Sequence, residues 1–282
     1  MSGVESWERR GRSFGSAAET YDRTRPGYPR AALTWALGDA PRTVLDLGAG
    51  TGILTRELVA RGHETIAVEP DDTMRELCVR TDGATVLAGT AEAIPLPDDS
   101  VDAVVVGHAY HWFAPRLANA EIARVLRSGG TLATFWNLRD ESVQWSKELS
   151  QVLAEEDAGI DASNAGAVML HGALEALRGN GGLALKGWLK DPSFGDAFTH
   201  ISREFFPHRV AHTQASLIEL VRSRSFYLAL PKQQQRALEH ELERLLARHF
   251  DPGPDQPLEL LYVTVAFRAR RQPAPVEERP AA

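Results

Sequence analysis

The sequence predicts an α/β fold with a doubly wound, mostly parallel sheet and a mostly helical segment inserted before the last strand. Strand-like apolar runs alternate with helical patterns five times between residues 41 and 139, which favours parallel strands joined by right-handed crossovers. Residues 101–106 form an almost continuous apolar run, as expected for a strand buried on both faces. A further strand pattern at 258–270 follows a long stretch with helical spacing.

The composition and charge limit the size of the domain and the kinds of molecule that the protein can be expected to bind. A chain of 282 residues that is 43% hydrophobic can form one large domain with a smaller cap. Its formal charge of -7 argues against nucleic acid, because nucleic-acid binders usually present a basic face. No apolar run has the length of a signal peptide core or a membrane span, so we expect no membrane contact. The one cysteine, Cys78, excludes an internal disulfide and a multi-cysteine metal site. We therefore expect a cytoplasmic protein without a bound metal, and the oligomeric state is not indicated.

Before the first strand, residues 14–22 can form a short helix, which the prolines of the segment RPGYP end. One interpretation is that this N-terminal segment simply covers the sheet. The other is a flap in which Tyr21, Arg25 and Tyr28 face a ligand. An aromatic ring offers rigid contact area, and an arginine offers a fixed fork of donors. The sequence alone leaves both interpretations open.

The segment TVLDLGAGTG, residues 43–52, indicates a strand, a tight turn and the start of a helix. Gly48, Gly50 and Gly52 alternate in the turn, where glycine permits positive φ and lets a ligand approach the main chain. Asp46 lies where the strand ends. Because ligands bind at the carboxyl ends of strands in open α/β sheets, this turn is the first candidate binding site.

Two further loops lie at the same predicted edge. A helix that ends at Gly62 precedes the second strand, which ends at Glu69, 23 positions beyond Asp46. In nucleotide-binding βαβ units an acid about 20 residues on meets the two ribose hydroxyls, although a solvated acid at a strand end would look the same. After a third strand at 84–88, Glu92 is either an acceptor for the amino group of a base or a solvated loop acid.

The fourth strand, 101–106, ends in the loop GHAYHWF. His108 and His111 therefore lie at the carboxyl edge of the sheet, where an imidazole can act as a base or a hydrogen-bond donor near neutral pH. Histidines in such loops also often simply pack or cap, and both interpretations stay open. The next helix, 117–126, is expected to end at a cap formed by RSGG, before a fifth strand with the sequence TLATFWNL.

Beyond Arg139 the pattern changes. Helices are predicted at 145–157, 214–225 and 232–250, and residues 200–211 are consistent with a strand that bends at a proline. The last strand is followed by a tail that is expected to be disordered. No HxxEH, GxSxG or P-loop pattern is present.

Several segments carry a resemblance to a known family. LDLGAGTG, the acid at Glu69, the loop TAEAIPLPDDSVD and the antiparallel-type terminal strand resemble the class I S-adenosylmethionine-dependent methyltransferases. The segments FGSAAETYDRTRPGYP, GHAYHWF, FWNLRDES and VRSRSFYLALP are similar to the trans-aconitate methyltransferase-like group, which acts on small molecules. The resemblance implies a Rossmann-like, seven-stranded, mostly parallel sheet with an antiparallel terminal strand. It also implies S-adenosyl-L-methionine as cofactor and an oxygen, nitrogen or carboxylate acceptor on a small molecule.

The resemblance further implies the residues of the site. The glycine turn would approach the methionine moiety with Asp46 beneath it, Glu69 would bind the ribose, and Glu92 would flank the base. The cofactor-binding residues expected in this way are Asp46, Gly48, Ala49, Gly50, Thr51, Gly52, Glu69, Pro70, Ala91, Glu92, Gly107, Tyr21 and Arg25. The residues expected at the acceptor are Tyr28, His111, Trp112 and Trp136. A carboxylate acceptor needs no general base, whereas a hydroxyl or amine acceptor could use His108 or His111 as a catalytic base.

The predicted organisation is an N-terminal helical flap at 1–40, a cofactor-binding core at 41–139 and 257–270, a mostly helical substrate cap at 140–256 and a disordered tail at 271–282. Two other functions stay open. A nicotinamide dehydrogenase would share the strand, the glycines and the acid, but the spacing of GAGTG departs from GxGxxG. A non-catalytic protein that binds the cofactor or a metabolite would share every feature, because a fold does not determine a function.

Overall fold

The computed structural model describes residues 18–153, 194–251, 253, 255 and 257–273. The start of the predicted flap, part of the predicted cap and most of the predicted tail lie outside these residues. The strands are β1 (Thr43–Leu47), β2 (Glu64–Val68), β3 (Ala84–Leu87), β4 (Val101–Gly107), β5 (Leu126–Arg139), β6 (Phe198–Thr213) and β7 (Pro257–Arg271). The helices are α1 (Ala18–Thr24), α2 (Arg30–Leu37), α3 (Ile53–Ala60), α4 (Asp72–Cys78), α5 (Pro115–Val125), α6 (Gln144–Val152), α7 (Gln214–Arg222), α8 (Ser225–Ala229) and α9 (Lys232–His249). None of these helices has the length and apolar character that crossing a membrane requires.

One seven-stranded sheet organises the described part of the chain, in the order β3-β2-β1-β4-β5-β7-β6. Strands β1 to β5 are parallel to their neighbours in this group, whereas β7 is antiparallel to both β5 and β6. This confirms the predicted mostly parallel sheet with an antiparallel terminal strand. The strand order reverses between β1 and β4, which places the glycine turn after β1 beside the loop after β4. Ligands bind at such a point in open α/β sheets.

Both faces of the sheet are covered, because its central strands carry apolar side chains on both sides. In β4, Ala103 and Val105 belong to a hydrophobic cluster with α2 and α3, while Val104 and Val106 belong to one with α5. All four side chains are at most 1% exposed. Since successive residues of a strand point to opposite faces, one continuous apolar run supplies two hydrophobic layers.

Strand β5 begins earlier than the sequence predicts. Residues 127–130, expected to cap the preceding helix, lie within β5, and the register with β4 shifts between Val101 and Ala103. Gly129 has a φ of +72°, a conformation that glycine tolerates at a strand irregularity. The expected cap is therefore wrong, because this glycine turn signal marks a bulge inside a strand.

Strand β6 lies inside the stretch 140–256 that was expected to form a mostly helical cap, and it belongs to the central sheet. Its pairing with β7 extends from Phe198 opposite Arg271 to Thr213 opposite Pro257. Pro207 lies opposite Val263 and the strand continues through it. A proline is tolerated here because β6 is an edge strand, where one missing N–H need not break the ladder.

A third hydrophobic cluster joins α6, α7, α9 and the first half of β7. Leu149 of α6, Leu217 of α7 and Leu245 of α9 are each at most 1% exposed. Ser223, just after α7, is buried and donates to the carbonyl of Leu220 at 2.7 Å. This packing fixes the position of the next residue, Arg224, which lines the cavity described below.

Candidate active site

The turn after β1 requires glycine. Gly48, Gly50 and Gly52 have φ angles of +72°, +59° and +89°, a region that residues with a side chain rarely adopt. A Cβ on Gly48 would lie 2.6 Å from the Cβ of Ala109, so this glycine also allows the loops after β1 and β4 to pack together. A Cβ on Gly50 would approach only the Met74 sulfur, at 3.6 Å. The main chain at Gly50 is therefore open to a ligand.

Glu69 holds this turn in place. Its Oε2 accepts a hydrogen bond from the Gly50 N–H at 2.8 Å, and its Oε1 accepts one from the Asp71 N–H at 2.9 Å. The side chain is buried, and burial raises its pKa above the ordinary value of 4.5, while the two N–H groups oppose that rise. A carboxylate offers about four acceptor positions. The hydrogen bonds from Gly50 and Asp71 occupy two of these acceptor positions. Two acceptor positions remain for the predicted contacts to a ribose.

Asp46 is the carboxylate beneath the turn, and it is 1% exposed. Its Oδ2 accepts a hydrogen bond from Thr55 Oγ1 at 2.6 Å, whereas no described residue donates to its buried Oδ1. Burial raises the pKa of Asp46 to about 7, the bond from Thr55 opposes this rise, and the nearby Glu69 carboxylate adds to it. A buried acceptor without a donor favours a ligand that brings hydrogen-bond donors or positive charge.

These groups line a cavity of about 580 Å³, counted to its open mouth. The predicted site residues that line it are Tyr21, Arg25, Tyr28, Asp46, Gly48, Ala49, Gly50, Thr51, Gly107 and His108. The lining residues that were not predicted are Pro26, Ile53, Leu54, Asn137, Arg224 and Tyr262. The N-terminal segment, the loops at the sheet edge and the second half of the chain therefore meet at one cavity.

The geometry of the N-terminal segment supports the flap interpretation. Asn137, near the end of β5, donates through Nδ2 to the Gly27 carbonyl at 3.0 Å, and its Oδ1 accepts a hydrogen bond from Thr264 Oγ1 at 2.6 Å. Asp22 on α1 forms an ion pair with Arg56 of α3 at 2.6 Å. The flap is thus tied both to the sheet and to the helix that follows the glycine turn.

Tyr28 fills one side of the cavity. Its ring centroid lies 5.7 Å from that of Phe135 and 6.5 Å from that of His108. A Cβ on Gly107 would lie 2.4 Å from the Tyr28 hydroxyl oxygen, so Gly107 is needed for this tyrosine to fit. Burial raises the pKa of Tyr28 well above 10, and its hydroxyl therefore stays protonated.

Two guanidinium groups line the cavity, of which the sequence analysis identified one. Arg25 directly follows α1, and its Cζ lies 4.7 Å from the centroid of the Tyr21 ring. Arg224 lies between α7 and α8. Burial lowers the pKa of Arg224 well below the usual range of a guanidinium, and the positive charges of Arg25 and Arg139 lower it further. An anionic ligand would relieve this mutual repulsion.

His108 follows β4 with a φ of +55°, a conformation that costs a non-glycine residue on the order of 1 kcal/mol. Its ring Nε2 accepts a hydrogen bond from the backbone N–H of Asn137 at 2.7 Å. The backbone N–H of His108 donates to the Phe135 carbonyl at 2.9 Å. Burial and the charges of neighbouring groups, the largest being that of Arg25, lower the pKa of His108 well below 6.5. The ring is therefore neutral at the wall of the cavity.

Some predicted residues do not line this cavity, and they are Gly52, Glu69, Pro70, Ala91, Glu92, His111, Trp112 and Trp136. Gly52 faces α4, because a Cβ there would lie 3.1 Å from the Cys78 sulfur. Pro70 is exposed, and Ala91 is buried in the main hydrophobic cluster. These three residues therefore shape or support the site from outside the cavity wall.

Glu92 contacts a helix in this structure. Its Oε1 accepts a hydrogen bond from the Ala114 N–H at 2.8 Å, directly before α5. The first N–H groups of a helix have no partner within the helix, and an acid there also benefits from the helix dipole. The carboxylate thus caps α5, and its expected contact to a base stays a prediction.

Two of the aromatic residues expected at the acceptor, Trp112 and Trp136, lie against the core or in it. Trp136 is 2% exposed, and its ring meets those of Tyr110 and Phe267 edge-on. Since its neighbour Asn137 faces the cavity, strand alternation turns Trp136 to the opposite face of the sheet. Trp136 is thus a core residue here. His111 lies against the Trp112 ring, and burial lowers its pKa to about 4.

Asn137, Arg224 and Tyr262 line the cavity but were not predicted from the sequence. Asn137 offered a signal, because a polar side chain near the end of a buried strand needs a reason to be there. Tyr262 lies opposite Arg139 in the β5–β7 ladder, a pairing that only the register establishes. Arg224 has no local signal, since long-range packing of the second half of the chain brings it to the cavity.

The residues present fit the expected cofactor. The open main chain at Gly50, the acceptor positions left on Glu69 and the buried Oδ1 of Asp46 match the donors and positive charges of S-adenosylmethionine. No group of three or more His, Cys, Asp or Glu within the described ranges could hold a metal ion.

Comparisons with known proteins show which family this chain is similar to. Residues 45–134 match a family model described as a methyltransferase domain. An uncharacterized methyltransferase of Mycobacterium bovis is 40% identical over 258 residues, which are 91% of this chain and 95% of the relative. An uncharacterized methyltransferase of Schizosaccharomyces pombe is 30% identical over 93% of this chain and 98% of the relative. The solved structure of a candidate type II methyltransferase from Anaeromyxobacter dehalogenans shares the fold, with a TM-score of 0.64 at 21% identity over 89% of this chain and 99% of that one.

Proposed function

This chain belongs to the class I S-adenosylmethionine-dependent methyltransferases, and we propose that it transfers a methyl group from that cofactor to a carboxylate of a small molecule. The observation that carries the proposal is the charge of the cavity wall. A glycine turn with the buried carboxylate of Asp46 forms part of it, and the guanidinium groups of Arg25 and Arg224 form another part. Charges of both signs in one wall suit a cationic methyl donor together with an anionic acceptor.

In this proposal the cofactor lies along the glycine turn. Asp46 would face its positively charged groups. Glu69 is 7% exposed and does not line the cavity, but it is bonded to the Gly50 N–H, and in this proposal its two unused acceptor positions would take hydrogen bonds from the ribose. When bound, the cofactor supplies a methyl group on a positively charged sulfur, and transfer of that group to a carboxylate oxygen yields a methyl ester. The flap and Tyr28 exclude water from the cavity, which strengthens every electrostatic contact inside it.

Arg224 binds the acceptor in this proposal. A guanidinium presents a planar fork of donors that matches the two oxygens of a carboxylate. The carboxylate is already deprotonated at neutral pH, so no side chain has to remove a proton from it. The neutral state of His108 is compatible with such a reaction.

The cofactor itself carries a carboxylate, and Arg25 is the residue that the sequence analysis placed at the cofactor. We therefore assign Arg25 to the cofactor carboxylate and Arg224 to the acceptor carboxylate. The two assignments predict different defects. Loss of Arg25 should weaken cofactor binding, whereas loss of Arg224 should weaken acceptor binding alone.

The test uses S-adenosylmethionine with a labelled methyl group and a panel of short dicarboxylic acids, their monoamides, and matched amines and alcohols. We expect label to enter products from the acids and to be released as methanol by mild alkali, because methyl esters hydrolyse whereas N-methyl and ether groups do not. Arg224→Gln should raise the KM of the best acid by about tenfold or more without changing the calorimetric Kd of the cofactor. Arg25→Gln should raise that Kd.

The matched control is Arg236→Gln on α9, which removes the same charge from an exposed position and should change neither constant. An alkali-stable labelled product would refute the carboxylate acceptor while leaving methyl transfer intact. Cofactor binding without turnover of any compound in the panel would favour the non-catalytic binding protein.

A further inference from the structure

The backbone locks the His108 ring in one protonation form. Its Nε2 accepts a hydrogen bond from the Asn137 N–H at 2.7 Å. A backbone N–H can only donate, so Nε2 carries no proton and the proton of the neutral ring lies on Nδ1. We infer that His108 donates a hydrogen bond through Nδ1–H to an oxygen of the methyl acceptor, and that it thereby selects oxygen acceptors over amines.

The Nδ1 atom is accessible to a ligand. His108 lines the cavity, and its Nδ1 is not one of the buried polar atoms that lack a partner. No hydrogen bond joins Nδ1 to another residue in the described part of the chain. An N–H that is neither bonded to a described residue nor fully buried, on a residue that lines the cavity, can donate to a bound acceptor.

The surroundings keep the ring neutral. Burial lowers the pKa of His108 well below 6.5. The charges of three neighbouring groups lower it further, and these groups are Arg25 from the flap, His111 from the same loop and Arg224 from beyond α7. Tyr28, the neighbouring aromatic, keeps its hydroxyl proton because its pKa lies well above 10. His108 therefore keeps one fixed donor throughout the neutral pH range.

The backbone at His108 supports the same role. Its φ of +55° is strained for a histidine, and strain of this kind persists where the surrounding structure holds a residue for a purpose. The main chain of His108 bonds to Phe135 and its side chain bonds to Asn137. Two residues of β5 thus fix both the position and the orientation of the imidazole.

This inference rests on the proposed function and narrows it. A neutral donor beside Arg224 stabilises a carboxylate or another oxygen acceptor and moves no proton. An amine has to present its only lone pair to the methyl group, so a donor that engages this lone pair suppresses its reaction. The general-base role considered for His108 would require the lone pair of Nε2, which the Asn137 N–H occupies.

The first experiment determines which ring nitrogen of His108 carries the proton. Nuclear magnetic resonance of protein labelled with ¹⁵N in its histidine rings shows which ring nitrogen carries hydrogen, and it needs neither cofactor nor turnover. We expect His108 to be protonated on Nδ1 alone and to show no titration between about pH 5.5 and 9. We also expect the Nδ1–H resonance to move when acetate is added as a carboxylate probe in the presence of S-adenosylmethionine. Protonation on Nε2, or titration near the ordinary histidine pKa, would overturn the inference.

The second experiment tests the consequence with His108→Gly. Glycine has no side-chain donor and adopts positive φ without strain, so the variant should fold. With the best acid of the panel, kcat/KM should fall about tenfold or more, by the same factor at every pH, with an unchanged Kd for the cofactor. The matched control is His200→Gly, because His200 has a φ of +54° and is exposed on β6 away from the cavity.

The control variant should keep the wild-type kcat/KM. An unchanged kcat/KM in His108→Gly would overturn the inference. So would a wild-type pH profile whose rising limb near pH 6 to 7 disappears in the variant, because that limb is the signature of a general base. Failure of the wild type to bind S-adenosylmethionine would instead contradict the proposed function, and the protonation state of His108 would still be measured independently.

Discussion

Replacing Asp46 with asparagine tests whether the carboxylate beneath the glycine turn reduces the stability of the ligand-free protein. Asparagine has nearly the same shape and keeps an oxygen that can accept the 2.6 Å hydrogen bond from Thr55 Oγ1, but it carries no charge. In the wild type, Oδ1 has no donor within the described residues, and Glu69 adds repulsion. We therefore expect Asp46→Asn to be more stable than the wild type at neutral pH.

The magnitude follows from the pKa. Asp46 is 1% exposed, and its pKa rises from 3.8 to about 7. Each tenfold change in proton affinity is worth about 1.4 kcal/mol, so ionisation of the folded protein costs up to about 4 kcal/mol. The folded chain binds this proton more tightly than the unfolded chain does. The stability that the proton contributes is therefore fully present below pH 3.8 and lost as the pH rises through about 7.

Urea denaturation of the ligand-free wild type and Asp46→Asn from about pH 5 to 8.5 measures this effect. The difference in unfolding free energy should grow with pH and level off above about 7, at about 2 to 4 kcal/mol in favour of the variant. Asp82→Asn is the control, because Asp82 is exposed and its removal should change stability by less than about 0.5 kcal/mol.

Two results would refute this reasoning. If the stability curves of the wild type and Asp46→Asn run parallel across this pH range, the pKa of Asp46 is not raised. If the variant is less stable than the wild type at pH 8, the ionised carboxylate has a favourable partner in the folded protein. The same variant should bind S-adenosylmethionine more weakly, because it lacks the negative charge proposed to face the cofactor. Stability and binding should therefore change in opposite directions.

Two further predictions concern the flap. In Gly107→Ala, the new Cβ would lie 2.4 Å from the Tyr28 hydroxyl oxygen and 2.9 Å from its Cζ. Thermal denaturation should show a loss of about 1 to 3 kcal/mol, which addition of Tyr28→Phe should partly restore, and an unchanged stability would mean that the ring can move aside. Asn137→Ala removes the bonds to the Gly27 carbonyl and Thr264 Oγ1, so it should cost about 1 to 3 kcal/mol and speed amide exchange in the flap. Equal rates of amide exchange in the flap of the variant and the wild type would show that the Asn137 side chain does not hold the flap to the sheet.

Much of the fold was predictable because it depends on local pattern. The apolar run at 101–106 predicted a buried strand, and β4 is that strand, with Val104 and Val105 packed on opposite faces. The glycine turn was predictable as well, since only glycine adopts the positive φ found at Gly48 and Gly50 without strain. Both features follow from properties of neighbouring residues.

Two predictions from the sequence were wrong, and each has a physical cause. RSGG looks like a helix cap, but its glycine lies in a strand bulge, which depends on pairing with β4. Trp136 was expected at the acceptor, and it lies in the core because the register of β5 turns it to the other face. In each case the outcome depends on which strand lies alongside, and that information is absent from the local sequence.

The sequence by itself determined the sheet, the glycine turn with its two acids and the family, because strand periodicity, glycine conformation and motif spacing are local properties. Only the tertiary structure decided that Arg224 and Asn137 reach the cavity, that Glu92 caps a helix, and that His108 Nε2 accepts the Asn137 N–H. These features depend on contacts between residues far apart in the chain, such as the bond between Asn137 and the Gly27 carbonyl. The identity of the cofactor could therefore be inferred from short segments, whereas the part of the cavity that we assign to the acceptor exists only once the chain has folded.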